Sequence, residues 1–323
     1  MLRTLMCDLL DIESPVIQAG MGAFTSAELV AAVSNAGGLG SLGASQRTAE
    51  DLQKQLAQLR KLTRRSFAVN HLVTTLDEEA FALTLKAQPR VISLALGDPG
   101  LLVKRAHDAG IQVMQQVHTV AQARQAAERG VDVIIAQGSE AGGFGGMAVT
   151  ALALIPQVVD TVSPIPVVAA GGIADGRGLA AALLLGAQGI NIGTRFLASV
   201  ETPIHPQWKQ MILESDSEDT VKVEVWNDIM PTPGRGGYGT VPRSLRTSFI
   251  DEWQQHREKA VREAERLQNE IMAARQQGKI HELAPFAGQT VGLIHEILPA
   301  GEIVRRLVAE AEEVLRRANK FLK

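Results

Sequence analysis

The chain has 323 residues, 46% of them hydrophobic and 21% charged, with 32 Lys and Arg against 35 Asp and Glu for a formal net charge of −3. Near-neutrality at this length excludes a generally basic nucleic-acid binder, and the single cysteine, Cys7, excludes an intrachain disulfide framework and any cysteine-rich zinc or iron–sulfur centre. Thirty glycines beside only 8 Phe, 3 Trp and 1 Tyr is the usage of an α/β protein rather than a β-sandwich.

Within residues 1–20, Asp8, Asp11 and Glu13 interrupt every apolar run, which argues against a cleaved export signal. No stretch of about 18 apolar residues occurs later, so neither a transmembrane helix nor a membrane partner is expected, and the location is read as cytoplasmic. Short β-branched runs then recur at 15–19, 38–43, 67–71, 91–96, 111–117, 131–137, 166–170 and 189–196. They begin roughly 20 to 35 residues apart, the period of repeated βα units. Helices are predicted between them, among others over 26–36 and 119–129, where Ala123, Ala126 and Ala127 share one face. Gly37, Gly110, Gly130 and Gly186 are placed to stop such helices in a left-handed conformation.

A parallel array of about eight strands is either a (β/α)8 TIM barrel or an open doubly wound sheet, and periodicity does not separate the two. The glycines do. An open dinucleotide-binding sheet carries its glycine-rich turn after the first strand, whereas barrels gather phosphate sites after strands seven and eight. Here the dense clusters are Gln137-Gly-Ser-Glu-Ala-Gly-Gly after the sixth run, Ala169-Ala-Gly-Gly-Ile-Ala-Asp-Gly-Arg-Gly after the seventh, and Gly193-Thr-Arg in the eighth. The fold class is therefore expected to be α/β, a (β/α)8 barrel. Backbone amides at the start of the helix after strand seven, freed by glycine from side-chain crowding, would receive a phosphate.

Beyond Ser199 the pattern changes to prolines, an acidic stretch over 214–219 and a Pro/Gly-rich run over 231–239, followed by a charged helix over 249–277. Residues 200–289 are read as an inserted lid across the C-terminal mouth, with 1–199 and 290–323 as the barrel. The stretch 302–323 would be its last helix, and Trp208, Trp226 and Trp253 would anchor the lid. Arg235 and Tyr238 lie where they would orient a substrate, and Asp175 where it would cap a helix.

Several of these segments resemble the motifs of the nitronate monooxygenases, formerly called 2-nitropropane dioxygenases: Pro15-Val-Ile-Gln-Ala-Gly-Met, Phe67-Ala-Val-Asn, Ala136-Gln-Gly-Ser-Glu-Ala-Gly-Gly, Val168-Ala-Ala-Gly-Gly-Ile-Ala-Asp-Gly, Gly193-Thr-Arg-Phe and Pro285-Phe-Ala-Gly-Gln. The resemblance runs in order over about residues 15–295 and extends to flavin-dependent enoyl-acyl carrier protein reductases and some NAD(P)H:quinone reductases. It implies an FMN-containing TIM barrel, FMN rather than FAD because no adenine-binding element accompanies it. It also implies a small-molecule substrate, with O2 or NAD(P)H as the other reactant, and leaves the oligomeric state open. Carried over by position, Gly20, Met21 and Gly22 would contact the isoalloxazine, and Asn70 and Gln116 its polar edge. Gly143, Ala170, Gly171, Gly172, Gly193 and Thr194 would surround the phosphate, and Gln289 would approach from the lid.

One position departs from the family. The catalytic histidine expected after Glu-Ala-Gly-Gly is Phe144, which has no proton to exchange. His71, directly after Asn70, is the candidate to replace it; His118 precedes a helix start and His205 lies in the insertion. A nitronate arrives already deprotonated and has less need of a protein base than a neutral nitroalkane. The sequence thus favours nitronate oxidation, and leaves room for an NAD(P)H-dependent reductase or for a flavin-binding protein without catalysis.

Overall fold

The computed structural model describes residues 2–231, 239–318 and 320. Arg235 and Tyr238, with most of the Pro/Gly-rich run, lie outside the described residues. In chain order the strands are β1 (Val16–Gln18), β2 (Gly40–Gly43), β3 (Phe67–Leu72), β4 (Val91–Ala95), β5 (Gln112–Val117), β6 (Val133–Gln137), β7 (Gly143–Gly145), β8 (Val167–Ala170), β9 (Gly189–Ile192), β10 (Thr220–Lys222) and β11 (Val241–Leu245). All but β7, β10 and β11 form one parallel sheet of eight in the order β1-β9-β8-β6-β5-β4-β3-β2, and each of the eight expected runs holds one of its strands. The two ends of this sheet meet. The Gln18 amide donates to the Leu39 carbonyl at 3.0 Å and the Leu39 amide to the Val16 carbonyl at 2.9 Å. That closure makes the array a barrel and removes the open-sheet alternative.

Local chemistry accounts for the connections. Ser26 and Thr119 cap the helices Ala27–Asn35 and Val120–Glu128 by accepting from the amides of Leu29 and Gln122, and Asp175 caps Gly176–Leu184. Gly37, Gly110, Gly130 and Gly186 follow helices with φ of 90°, 73°, 80° and 92°, a region that side chains with a Cβ avoid.

Two cores follow from strand alternation. Ile17, Ala68, Met114, Ile135 and Val168 fill the barrel interior, while Val16, Ile92, Val113, Ile134 and Ile190 face the helices. The helix Leu5–Leu10 adds Met6, Cys7 and Leu10 to the interior core, and Met6 packs beside Gly189 at the start of β9. The N-terminal end of the barrel is therefore plugged, and the C-terminal end is left for chemistry.

The chain leaves the barrel at Val200 and comes back beside that point, where the Val200 amide donates to the Leu298 carbonyl at 3.0 Å. The intervening segment has its own core, which includes Trp208, Trp226, Trp253, Ile271 and Phe286. Among the described residues Trp208 meets the barrel's Phe24 edge-on at 5.0 Å, whereas Trp226 and Trp253 pair with Phe286 and Phe249 inside the segment. The expected single charged helix is three, Ser248–Gln255, Arg257–Arg262 and Ala264–Gln276, separated by His256 and Glu263, which leave helical geometry. Trp253, Ala260, Leu267 and Ile271, spaced at seven, seven and four residues, all turn to one core across these breaks. A second sheet, β10-β11-β7, is antiparallel and takes β7 from the loop after β6, so the barrel lends a strand to the segment above it. The helix Ala300–Ala318 packs between Gly176–Leu184 and Ala27–Asn35, completing the ring. Among the described residues no helix is long and apolar enough to cross a membrane.

Candidate active site

The C-terminal ends of the barrel strands surround one cavity. Its wall includes Gly20, Met21, Gly22, Asn70, Gln116, Gly143, Ala170, Gly171, Gly172, Gly193 and Thr194, together with Phe144. With Ser45 after β2 and Ser93 in β4 on the same wall, all eight strands of the barrel contribute to one face, as the direction of a parallel barrel requires. Gln289 is not on this wall, although its neighbours Gly288 and Thr290 are. Its amide donates to the Glu140 carbonyl at 3.0 Å and its carbonyl accepts from Ser217 Oγ at 2.7 Å, so its backbone is committed to pinning the returning chain.

The close approaches on this face explain its glycines. A Cβ on Gly20 would lie 2.2 Å from Asn70 Cβ, and one on Gly142 would lie 2.4 Å from the Gly288 amide nitrogen. Gly171 and Gly172 have φ of +89° and +74°, a region that side chains with a Cβ avoid, so the turn after β8 calls for glycine at both. Among the described residues the amides of Gly172 and Gly193 donate to no protein acceptor. Thr194 Oγ1 accepts from the Gly288 amide at 3.0 Å, which leaves its hydroxyl proton to give.

The helix after β8 does not supply the expected anion site. Its Arg177 and Gly178 amides donate to Asp175 Oδ1 at 2.9 and 3.2 Å, and its Gly176 amide to Glu310 Oε2 at 2.9 Å. Two carboxylates already occupy the positive end of the helix dipole and would repel a phosphate. Donors left for an anion among the described residues include those of Gly171, Gly172, Gly193 and Thr194, beside the helix rather than at its start.

On the opposite wall, Asn70 Nδ2 donates to the Ser93 carbonyl at 3.2 Å and Gln116 Nε2 to Gln137 Oε1 at 3.2 Å. These bonds orient both amides and leave Asn70 Oδ1, Gln116 Oε1 and Gln137 Nε2 for a ligand. A heterocycle with alternating donors and acceptors fits this edge, and a phosphate fits the glycine side. Ser93, Gln137 and Asn191 line the cavity and were not singled out from the sequence. Each is a polar residue inside an otherwise apolar strand, the signal that would have found them.

His71 does not reach the cavity. Side chains of β3 alternate, with Ala68 and Asn70 inward and Phe67, Val69 and His71 toward the helix layer. Its Nε2 lies 2.9 Å from Thr84 Oγ1, and its ring stands edge-on to Phe81 at 5.3 Å. Burial pushes its pKa down to about 4, so it stays neutral; it borders an adjoining hollow but not the cavity at the strand ends. This corrects the expectation that it replaces the missing base. His118 is also buried, which pushes it down to about 4, and His205 caps Pro206–Glu214 while stacking on His281 at 4.3 Å.

Phe144 sits in β7 opposite Pro242 and meets the Phe286 ring at 5.9 Å, which in turn meets Trp226 at 5.2 Å. The usual base position thus belongs to an aromatic chain that ties the barrel to the segment after Val200. Lys222 lies behind the same small sheet, its Nζ donating to the carbonyls of Gly146 and Val241 at 3.1 and 3.2 Å. Burial, helped by nearby Arg243 and opposed by Glu140, draws its pKa down to about 8.

Comparison with known proteins gives the same grouping. Residues 3–310 match the family described as nitronate monooxygenase. A probable nitronate monooxygenase of Staphylococcus aureus is 33% identical over 78% of this chain and 80% of its own length. The (3aS,4S,5R,7aS)-5-hydroxy-7a-methyl-1-oxo-octahydro-1H-indene-4-carboxyl-CoA dehydrogenase of Mycobacterium tuberculosis is 40% identical over 68% of this chain, and the match spans 62% of that relative. The structure of FabK from Thermotoga maritima superposes with a TM-score of 0.90 at 34% identity, covering 99% of this chain and 100% of that one.

Proposed function

The chain belongs to the nitronate monooxygenase family of flavin-dependent oxidoreductases, and on that premise we propose that it binds FMN without a covalent link and oxidises alkyl nitronates with O2. The observation that carries the reading is the pairing, across one cavity, of an anion-receiving glycine side with an amide-lined polar edge. Gly171, Gly172, Gly193 and Thr194 would hold the phosphate, Asn70 and Gln116 the ring edge, and Gly20, Met21 and Gly22 the ring face. Bound flavin supplies electron acceptance and reaction with O2. The protein's own residues orient the ring, narrow the mouth and set which substrates approach.

With Phe144 at the base position and His71 engaged with Thr84, no imidazole among the described residues lines the cavity to deprotonate a neutral nitroalkane. A nitronate brings its charge with it and needs only positioning. In the same reading, residues 1–199 and 290–323 are the cofactor barrel and 200–289 the cover that excludes water above Phe144.

A second reading, an NAD(P)H-dependent reductase of an enoyl thioester or quinone, is favoured by the apolar wall at Phe144 and by the similarity to a dehydrogenase of a CoA thioester. One comparison separates the two. The pigment is released by heat and identified, and the holoprotein is then mixed anaerobically with propyl nitronate, NADH or NADPH. Flavin bleaching by the nitronate supports the first reading, and bleaching by a nicotinamide alone supports the second. FAD or a flavin-free preparation would defeat both.

A further inference from the structure

A second hollow of about 320 Å³ adjoins the cavity, sharing Ser45, Gln46, Leu72 and Phe144 with it. Its far wall brings Trp226, Met230 and Arg275 down from the cover. The charged groups around it are satisfied, with one exception. Arg47 pairs with Asp51 at 2.6 Å and donates to the Gly43 carbonyl, and Asp77 accepts from the amides of Glu79 and Ala80. His71 is engaged with Thr84. Arg275 has no such partner. Arg275 is half-buried: its Nε is buried without an acceptor, no carboxylate pairs with it among the described residues, and its Cζ lies 5.8 Å from the Trp226 ring centroid.

Burial alone draws the Arg275 pKa below its ordinary value, and no neighbouring charge offsets it. Its place in the last turn of Ala264–Gln276 gives a favourable dipole, but no terminal carbonyl takes its protons. A buried donor left without an acceptor costs free energy, and the planar fork of a guanidinium matches a carboxylate or phosphate.

We propose that the second hollow receives the anionic end, carboxylate or phosphate, of a substrate whose apolar middle passes Leu72 and Phe144 toward the cavity, with Arg275 as the recognising group. The word substrate rests on the oxidoreductase reading above; the anion site itself stands apart from it. Trp226 and Met230 would pack the chain next to the charged end, so specificity would lie in the cover rather than in the barrel.

The test uses flavin-loaded full-length protein and calorimetric titration with octanoate, octyl phosphate and octanol. One of the anions should bind about tenfold or more tighter than octanol, and whichever is preferred identifies the headgroup. In Arg275→Met that preference should vanish while flavin content holds and Tm stays level, because no hydrogen bond or ion pair among the described residues is lost with the guanidinium. Octanol binding as tightly as both anions, or a preference retained by R275M, overturns the proposal. If R275M does not fold, phenylglyoxal modification of Arg275 in the parent, followed by mass spectrometry, decides instead. Protection by the anions but not by octanol supports the site; equal protection or none overturns it. Arg275-dependent anion binding in a protein inert to nitronates and nicotinamides would sink the oxidoreductase reading alone.

Discussion

Replacing Phe144 with histidine puts an imidazole at the position where the family resemblance expects a base. The backbone there is already held by β7 pairing with β11, so the new ring inherits a fixed attachment on the cavity wall. Partial burial and the cations Lys222 and Arg243 in the same small sheet disfavour a charged imidazole, so it is neutral and competent near pH 7.5. General base catalysis contributes on the order of 10²–10⁴-fold. The low end, about 10²-fold or roughly 2.7 kcal/mol of barrier, is expected because the loop was shaped around an apolar ring. Losing the Phe144–Phe286 contact, at 5.9 Å, costs about 1 kcal/mol of stability. Initial rates on nitroethane and on pre-formed ethyl nitronate, measured side by side at pH 7.5, give the answer. The nitroalkane rate should rise about 10²-fold with the nitronate rate within about threefold of the parent. A parent that already turns over nitroethane as fast as the nitronate, or a variant in which both rates rise together, would refute the reasoning.

Burial of His71 carries a pH signature. With a folded pKa of about 4 against 6.5 unfolded, its contribution is intact above pH 6.5 and is lost as the pH falls toward 4. Between pH 7.5 and 5 this amounts to about 2 kcal/mol of unfolding free energy, and urea titrations of His71→Gln should show a correspondingly shallower loss; an identical pH slope in parent and variant would contradict it. Gly20→Ala places a Cβ 2.2 Å from Asn70 Cβ, so Asn70 must move off Ser93 and the purified protein should carry markedly less flavin by its absorbance ratio, whereas full loading would disprove the role given to this contact. Asp175→Ala removes the acceptor for the Arg177 and Gly178 amides and should cost about 1 kcal/mol, read as a Tm lower by about 2 °C. Because that carboxylate guards the helix end from anions, flavin affinity in the same variant should not fall.

The sequence by itself determined the elements and their direction. Eight β-branched runs, four glycine stops and the cap Asp175 are local features, each acting within a few residues of chain, and each reappears in the structure. The clustering of glycines after the late strands pointed to the open end of a barrel for the same reason, since parallel strands all deliver their following loops to one face. What the sequence did not determine was which way a side chain turns once the strand is placed. His71 and Asn70 are adjacent, yet the pleat sends one to the cavity and the other against Phe81 and Thr84. Nor did it show that Asp175 and Glu310, 135 positions apart, close the helix end expected to take a phosphate. Barrel closure through Leu39, the loan of β7 to the cover and the isolation of Arg275 beneath Trp226 likewise depend on contacts between distant segments. Hydrogen bonds within a turn are written in neighbouring residues; burial, pairing and the lack of a partner exist only after the chain has folded back on itself.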